Sequence, residues 1–312
     1  MAFKHKHLLG IQTLSPSDIT TVLDTAESFY EISTREIKKV PLLRGKTIIN
    51  LFFEPSTRTL SSFELAAKRL SADIISINKQ SSSVIKGESL KDTIKNLEAM
   101  NPDSLIIRHS AAGVPYFATT FCQSHIINAG DGAHEHPTQA LLDALTIRQK
   151  KKSFKDLKAL IVGDILHSRV ARSNIFLLKK MGTRVVLVGP PSLLPAEFKK
   201  FGAEIDYNFD RAIKKADVIM MLRIQLERQE KNYFPSIREY RNLYGLTEKR
   251  FRRAKKNAII MHPGPINRGV EISADMADSA KSVILKQVKN GIATRMAVLY
   301  LLLGGKEHEA IN

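Results

Sequence analysis

The stretch 53–59 constrains the fold of this chain most, because it joins a strand-like apolar run at 47–53 to a helix-like run that starts at Leu60. At a helix start the first backbone N–H groups lack intrahelical partners and the helix dipole is positive, which suits an anion. This turn carries four hydroxyl or guanidinium donors, namely Ser56, Thr57, Arg58 and Thr59. The pattern predicts a phosphate-binding turn. A Ser/Thr helix cap beside a surface arginine is the alternative reading.

Strand-like and helix-like segments alternate along the chain. Strands are predicted at 47–53, 74–77, 104–108 and 125–129, and then at 158–163, 184–188, 204–207, 217–223 and 258–262. Helices are predicted at 60–70, 90–100, 114–121, 138–149 and 282–303. Near-continuous apolar strands joined by helices are typical of parallel sheets buried on both faces. The sequence therefore predicts an α/β fold of two doubly wound parallel-sheet domains with an active-site cleft between them.

The chain length of 312 residues exceeds that of a usual single core. The polar segment 150–155 predicts a border, with a first domain at 1–149 and a second at 150–290. The C-terminal helix at 291–312 is expected to pack back on the first domain. The charged segment 224–246 interrupts the alternation, and its length predicts a functional loop or lid.

Composition narrows the function classes. Lysine and arginine outnumber aspartate and glutamate by 48 to 31, but these residues are scattered rather than grouped into a nucleic-acid-binding module. No apolar run has the length of a membrane helix or a signal peptide, which predicts a cytoplasmic protein without membrane contact. Cys122 is the only cysteine, so an intrachain disulfide is excluded.

Several polar motifs follow predicted strands, where ligands bind in open parallel sheets. They are Arg108-His109, His136-Pro137-Thr138-Gln139, Arg169, Arg223, and His262-Pro263-Gly264-Pro265. A metal at His134-Glu135-His136 is disfavoured, because no further ligands stand at tight spacing. The G-x-G-x-x-G and G-x-x-x-x-G-K-[ST] patterns are both missing from the sequence. We therefore expect neither a cofactor nor a metal.

Taken together, these motifs and the segment Lys86-Gly87-Glu88 resemble the aspartate/ornithine carbamoyltransferase superfamily, from about residue 7 to the end of the chain. The resemblance implies that the first domain binds carbamoyl phosphate and the second binds the amine acceptor. Arg223-Ile224-Gln225 and the His-Pro-Gly-Pro segment resemble the aspartate branch. The expected reaction is carbamoyl transfer to L-aspartate in pyrimidine biosynthesis.

The resemblance also implies roles for single residues. Ser56, Thr57, Arg58 and Thr59 would hold the phosphate. Thr59, Arg108 and His136 would face the carbonyl oxygen, which makes Arg58, Thr59, Arg108 and His136 the expected catalytic residues. Gln139, with carbonyl groups near Gly264 and Pro265, would contact the carbamoyl amine. Aspartate would be bound by Lys86, Arg169, Arg223, Gln225, Gly264 and Pro265.

The family's minimal assembly is a homotrimer, so Ser82 and Lys86 would reach the site of an adjacent subunit. Association with a regulatory chain or another pathway enzyme is left open by the sequence. An ornithine acceptor is the first rival, but its cationic end would meet Arg223. A basic nucleic-acid-binding protein is the second rival.

Overall fold

The computed structural model describes residues 3–78, 88–224 and 236–304. It divides into two compact units: Met1–Leu145 together with Lys289–Asn312, and Thr146–Val288. The borders fall inside the helices Pro137–Lys151 and Ile284–Leu303, so the chain passes from one unit to the other in helical conformation each time.

The first unit begins with a long helix and continues with strands and helices in alternation. Its elements are α1 (Pro16–Thr34), β1 (Thr47–Phe52), α2 (Thr57–Arg69), β2 (Asp73–Asn78), α3 (Leu90–Glu98), β3 (Ser104–His109), α4 (Val114–Thr119), β4 (His125–Asp131) and α5 (Pro137–Lys151). The four strands are parallel, in the order β2-β1-β3-β4. The sheet order changes direction between β1 and β3, and ligands bind at such a point in open α/β sheets.

The second unit repeats the plan with five strands. Its elements are β5 (Lys158–Val162), α6 (Arg169–Lys180), β6 (Arg184–Val188), a 3-10 helix (Ala196–Phe201), β7 (Glu204–Asp206), α7 (Phe209–Ala212), β8 (Val218–Met221), α8 (Ile237–Tyr244), α9 (Glu248–Phe251), β9 (Ile259–Met261), α10 (Ala274–Ala277) and the start of α11 (Ile284–Leu303). The parallel order is β7-β6-β5-β8-β9, which changes direction between β5 and β8. The predicted α/β fold with two parallel sheets is confirmed.

Helix α1 was not predicted, although its start carries a clear signal. The Ser15 hydroxyl accepts from the Asp18 N–H at 3.1 Å, and the Ser15 N–H donates to the Asp18 carboxylate at 2.8 Å. Pro16 occupies the first helical position, where its missing N–H costs nothing. Ile19, Val22, Leu23, Ala26 and Phe29 form its buried face. The sequence signal was a capping box followed by an apolar stripe.

The predicted loop at 224–246 is wrong over part of its length. Ile237–Tyr244 forms helix α8, which Ser236 caps through a hydroxyl that accepts from the Glu239 N–H at 3.1 Å. Tyr240 and Tyr244 are buried in the core of the second unit, and this packing stabilises a segment that looks too polar for a helix. The lid prediction at 225–235 lies outside the described residues.

The last helix, α11, belongs to the first unit from Lys289 onward. Tyr300 packs edge-on against Phe29 of α1, with ring centroids 5.7 Å apart. The Arg295 guanidinium lies 4.9 Å from the centroid of the Phe63 ring in α2.

In the described ranges, none of the helices has both the length and the apolar character of a membrane span.

Candidate active site

The carboxyl ends of β1, β3 and β4 bring the predicted phosphate residues to one edge of the first sheet. Phe52 is paired with Arg108 in the parallel register of β1 and β3. The next backbone N–H, that of Phe53, donates to the Arg108 carbonyl at 2.9 Å. Because β3 also pairs with β4, the turn after β1, the end of β3 and the segment after β4 are neighbours. The three segments therefore lie at the same strand-end edge of the first sheet.

The turn 53–59 opens helix α2 as expected. Ser56 is the N-cap residue, but its side chain makes no capping hydrogen bond to the helix. Instead the Ser56 hydroxyl donates to the Thr59 hydroxyl at 3.0 Å. Thr57 and Arg58 are exposed, whereas Thr59 is buried. The helix start therefore presents hydroxyl groups and a positive dipole end without an acidic side chain in its first turn.

Arg108 is held in place at the end of β3. Its Nη1 donates to the Ala129 carbonyl at 3.1 Å, and its Nη2 donates to Glu54 Oε1 at 3.0 Å. The side chain is only 10% exposed, so these bonds fix the direction of the guanidinium in a partly desolvated place. Glu54 lies within the stretch 53–59, and the structure identifies it as a carboxylate partner of Arg108.

His136 and Gln139 lie at the start of α5, after β4. The His136 carbonyl accepts from the Gln139 N–H at 3.0 Å, and both side chains are buried. Gln139 Nε2 donates to Asp143 Oδ1, one helical turn further on, at 3.0 Å. This bond sets the orientation of the Gln139 amide.

A buried ionic group stands behind these residues. Asp143 is fully buried on α5, and Arg295 of α11 is 3% exposed. Arg295 Nη1 donates to the Gly291 carbonyl at 3.2 Å. Burial and the charge of nearby Arg108 together lower the pKa of Arg295 to about 9, although Asp143 acts in the opposite direction. Arg295 therefore remains a cation at neutral pH.

The neighbouring acidic and imidazole groups serve the local structure. Glu135 accepts from the Ile11 N–H at 2.8 Å and from the Gln12 N–H at 3.3 Å. The Nδ1 of His134 lies 3.1 Å from the carboxylate of Asp131. Among the residues that the structure describes, no group of three or more His, Cys, Asp or Glu side chains could hold a metal ion.

In the second unit, Arg169 is the first residue of α6 and is buried. The loop that leads to it is fixed by Asp164, which accepts from the His167 N–H at 3.2 Å and lies 2.9 Å from His167 Nδ1. The hydroxyl of Ser168 caps the helix by accepting from the Ala171 N–H at 3.1 Å. The capped start of α6 thus gives Arg169 a defined position after β5.

Arg223 is half-buried and follows β8, the neighbour of β5. The preceding Leu222 N–H donates to the Val162 carbonyl at 2.8 Å, which aligns the ends of both strands. The strands β5, β8 and β9 are adjacent in the sheet. Their carboxyl ends bring Arg169, Arg223 and the turn at 262–265 to one edge of the second sheet.

The turn after β9 is organised by a buried imidazole. His262 Nδ1 accepts from the Gly264 N–H at 2.8 Å, so the proton of the neutral ring is on Nε2. That Nε2 lies 3.1 Å from Glu271 Oε1, and both side chains are fully buried. Glu271 also accepts from the Asn267 N–H at 2.6 Å. Gly264 has φ of +70°, in the left-handed region, and the Gly264–Pro265 peptide bond is cis.

Three predicted site residues, Ser82, Lys86 and Gln225, lie outside the described residues. Sequence reasoning overlooked Asp143, Glu271 and Arg295, which lie behind the motifs. Asp143 follows Gln139 by four residues on a helix, which is a readable signal. The sequence positions of Arg295 and α5 do not indicate that the two meet. The spacing between His262 and Glu271 does not indicate their contact either.

Comparison with known protein families gives two matches that together cover most of the chain. The model of the carbamoyl-P binding domain of aspartate/ornithine carbamoyltransferase matches residues 6–149. The model of the Asp/Orn binding domain of the same family matches residues 155–302.

Relatives with assigned names separate the two branches of the family. The aspartate carbamoyltransferase catalytic subunit of Syntrophotalea carbinolica is 59% identical over 309 residues, which are 99% of each chain. An ornithine carbamoyltransferase structure from Pyrococcus furiosus is 30% identical, with a TM-score of 0.86, and covers 98% of this chain and 99% of its own. Aspartate transcarbamoylase from Trypanosoma cruzi, in complex with carbamoyl phosphate and aspartate, is 31% identical, with a TM-score of 0.85 and 96% coverage of both chains. The backbone is common to both branches, whereas the identity of 59% points to aspartate.

Proposed function

This chain belongs to the aspartate/ornithine carbamoyltransferase family and transfers the carbamoyl group of carbamoyl phosphate to aspartate, and from this premise we propose how its own residues bind the two substrates. The product is carbamoyl aspartate, which makes the chain an enzyme of the pyrimidine pathway. The observation that carries the proposal is the meeting of hydroxyl and guanidinium groups at the carboxyl ends of β1, β3 and β4. We assign carbamoyl phosphate to the first unit, roughly residues 1–149, and aspartate to the second.

The phosphate group binds at the start of α2. Ser56, Thr57 and Thr59 supply hydroxyl groups, and the exposed guanidinium of Arg58 can grip two phosphate oxygens. The open helix start supports this role, because the Ser56 side chain bonds to Thr59 rather than to a helix amide. Each charge-assisted hydrogen bond contributes about 1.5–3 kcal/mol, so several of them can hold a dianion in water.

The carbonyl oxygen of carbamoyl phosphate faces Thr59, Arg108 and His136. The aspartate amine attacks the carbonyl carbon, a C–N bond forms, and the bond from carbon to the phosphate oxygen breaks. Negative charge grows on the carbonyl oxygen before the phosphate leaves, and fixed donors lower the energy of that state. The departing phosphate takes the proton of the amine. Glu54 and the Ala129 carbonyl hold the Arg108 guanidinium, so it needs little reorganisation in the transition state.

The aspartate carboxylates bind to Arg169 and Arg223, with Gln225 and the turn at Gly264 and Pro265 completing the acceptor side. Two guanidinium groups suit a dicarboxylate, and the capped start of α6 supports the position of Arg169. Ornithine would bring an ammonium group towards Arg223, and a desolvated pair of like charges costs on the order of several kcal/mol. No step requires a metal.

Substrate binding can be tested one residue at a time. We expect the full-length Arg58→Ala enzyme to lose roughly 10–100-fold in affinity for inorganic phosphate, because one bidentate contact is removed. Arg44→Ala is the matched control, since Arg44 is an exposed arginine outside the proposed site. Calorimetry gives both dissociation constants. Equal phosphate affinity in Arg58→Ala and Arg44→Ala would contradict the phosphate assignment.

We further infer a homotrimer in which Ser82 and Lys86 act at the site of the adjacent subunit and contact carbamoyl phosphate, with Lys86 also near aspartate. Inactive Arg58→Ala and Lys86→Ala subunits are mixed and reassembled. One interface in each mixed trimer then regains both residues, so an equal mixture should show about one-quarter of the wild-type activity. Mixing Arg58→Ala with Arg108→Ala is the matched control. Both residues come from the same subunit, so that mixture should stay inactive.

Persistent inactivity of the Arg58→Ala and Lys86→Ala mixture, with hybrids verified by native mass spectrometry, would reject the shared site.

A cytoplasmic location stays a prediction, as does any association with a regulatory chain or a second pathway enzyme.

A further inference from the structure

Gln139 has an amide whose two ends differ in chemistry, and a hydrogen bond within α5 fixes which end is occupied. Its Nε2 donates to Asp143 Oδ1 at 3.0 Å. A carboxylate accepts hydrogen bonds and does not donate them, so the amide oxygen of Gln139 cannot take this place. The oxygen is therefore the end of the amide that remains for a ligand.

Asp143 can hold this orientation because its own surroundings are fixed. It is fully buried, and a buried carboxylate needs a compensating charge. The buried guanidinium of Arg295 lies close enough for its charge to interact with that of Asp143. Arg295 in turn lies over the Phe63 ring at 4.9 Å and donates to the Gly291 carbonyl at 3.2 Å.

We propose that Asp143, with Arg295 as its counter-charge, is a positioning residue for Gln139. It points the Gln139 amide oxygen at the carbamoyl NH2 group, so the enzyme selects a carbamoyl donor over an acetyl donor. This proposal rests on the proposed function, with Gln139 in contact with the carbamoyl amine as the family resemblance implies. An NH2 group donates to the oxygen, whereas the methyl group of an acetyl donor cannot. A reversed Gln139 amide would turn an NH2 group towards the ligand and lose the selection.

Two stable probes isolate this contact. Phosphonoacetamide and 2-oxopropylphosphonate share the phosphonate and the carbonyl group, and differ only in an NH2 group against a methyl group. Calorimetry on the full-length protein gives the ratio of their dissociation constants. A site that hydrogen-bonds the NH2 group should favour the amide by roughly 10-fold or more.

In Asp143→Ala we expect this preference to fall by about 10-fold, because Gln139 loses its anchor. Asp143→Asn should keep most of the preference, since its amide oxygen still accepts from Gln139 Nε2. If the carboxylate instead acts through its charge alone, Asp143→Asn should lose as much of the preference as Asp143→Ala. General damage to the site would weaken both probes equally and leave the ratio unchanged. Asp275→Asn, an exposed carboxylate on α10, is the matched control.

Asp143→Ala leaves the Arg295 charge buried without its partner and can prevent folding. The paired variant Asp143→Leu/Arg295→Met then replaces both groups with apolar side chains of similar size, and we expect the same loss of preference. Removal of Arg295 changes the local potential for both probes alike, because they carry the same phosphonate, so the ratio still reports on the amide.

Gln139→Ala distinguishes the contact of Gln139 with the ligand from the positioning role of Asp143. If Gln139→Ala lowers the preference but neither Asp143→Ala nor the paired variant does, the positioning role is overturned and the Gln139 contact stands. If Gln139→Ala leaves the ratio at its wild-type value, the contact itself is wrong, and the positioning role fails with it.

Discussion

The two units hold their candidate residues by different means. In the first unit, formal charges do this: Arg108 is bound to Glu54, and Asp143 stands near Arg295. In the second unit, a neutral imidazole organises the turn after β9, because His262 accepts from the Gly264 N–H and donates to Glu271. A dianion requires fixed positive charge, whereas a turn that offers carbonyl groups requires a fixed backbone path. Ionic groups thus support the proposed phosphate residues of the first unit, whereas a hydrogen-bonded imidazole supports the turn at 262–265 in the second.

The same local hydrogen bond occurs in both units and sharpens the comparison. At the end of β3, His109 Nδ1 accepts from the N–H of Ala111, two residues on, at 2.8 Å. At the end of β9, His262 Nδ1 does the same with Gly264 at 2.8 Å. His109 is half-exposed, whereas His262 is fully buried and also bonded to a carboxylate. The first contact lies in a partly exposed turn, and the second belongs to a network with the buried carboxylate of Glu271.

The largest effect is expected from Arg108→Ala in the first unit. This variant removes the proposed donor to the carbonyl oxygen, so kcat/KM should fall by roughly 10²–10³-fold. Steady-state kinetics with both substrates gives the value. Arg69→Ala, a partly buried arginine bonded to Ser33, controls for loss of a packed guanidinium. A loss in Arg108→Ala no larger than that in Arg69→Ala would break the contrast between the units.

A smaller and selective effect is expected from Arg223→Ala in the second unit. The KM for aspartate should rise by about 10–100-fold, because one charge-assisted contact with a carboxylate is lost. Phosphate affinity should stay at the wild-type value, since the proposed phosphate residues belong to the first unit. Arg250→Ala is a control within the same unit, because its guanidinium is bonded to Asp210 at 2.8 Å. Similar losses of affinity for phosphate and for aspartate would show that the two substrates are not bound by separate units.

His262→Phe should act mainly on stability and on aspartate use. The variant keeps a ring of similar size but removes one buried and one partly buried hydrogen bond and leaves Glu271 short of a donor, which costs about 2–4 kcal/mol. The aspartate KM should also rise several-fold, because the turn at Gly264 loses its support. His109→Phe is the matched variant in the first unit, and its cost should be below about 1 kcal/mol, since water can reach that N–H. Urea unfolding of both variants compares the two motifs, and equal costs would remove the distinction.

The smallest effect concerns pH. Burial and the charge of Lys6 lower the pKa of His7 from 6.5 to about 4, and its Nδ1 accepts from the Ile126 N–H at 3.0 Å. Between these pH values the unfolded chain binds a proton that the folded chain does not, so the contribution of His7 to stability falls as pH falls from 6.5 towards 4.

His7→Gln keeps an acceptor for the Ile126 N–H but does not titrate. Its Tm should therefore drop less than that of the wild type between about pH 7 and about pH 5, by roughly 1–2 °C, since the half-buried ring is partly screened by solvent. Differential scanning calorimetry at the two pH values measures this. Identical slopes would show that the pKa of His7 contributes nothing to the stability of the first unit.

Sequence reasoning located the strands well because apolar runs flanked by polar turns define them. Strand β6 was predicted at 184–188 and spans Arg184–Val188, and the other predicted strands differ from the observed ones by a few residues at most. Helix α2 starts at Thr57 rather than at Leu60, because Ser56 acts as its N-cap and the polar donors form the first turn. Helix α8 was missed because the burial of Tyr240 and Tyr244, not local propensity, stabilises it.

The candidate site divides in the same way. Motifs at strand ends were readable, since the parallel topology predicts where they meet. The groups behind them were not, because the approach of Arg295 to Asp143 joins positions 152 residues apart, and only the packing of α11 brings them together. The Gln139 and Asp143 bond lies within one helix and could have been found from its spacing of four residues.

Gly291 lies inside helix α11, but its replacement by alanine, a common way to stabilise a helix, is hindered in this enzyme. Glycine inside a helix costs about 1 kcal/mol relative to alanine, so Gly291→Ala in α11 would normally be among the first substitutions an engineer tries. Here a methyl group at that position would stand 2.8 Å from Arg295 Nη1 and 3.3 Å from a methyl carbon of Leu142. Rigidifying this helix would thus push on the guanidinium beside Asp143, and thermostable versions of this chain must gain their stability elsewhere.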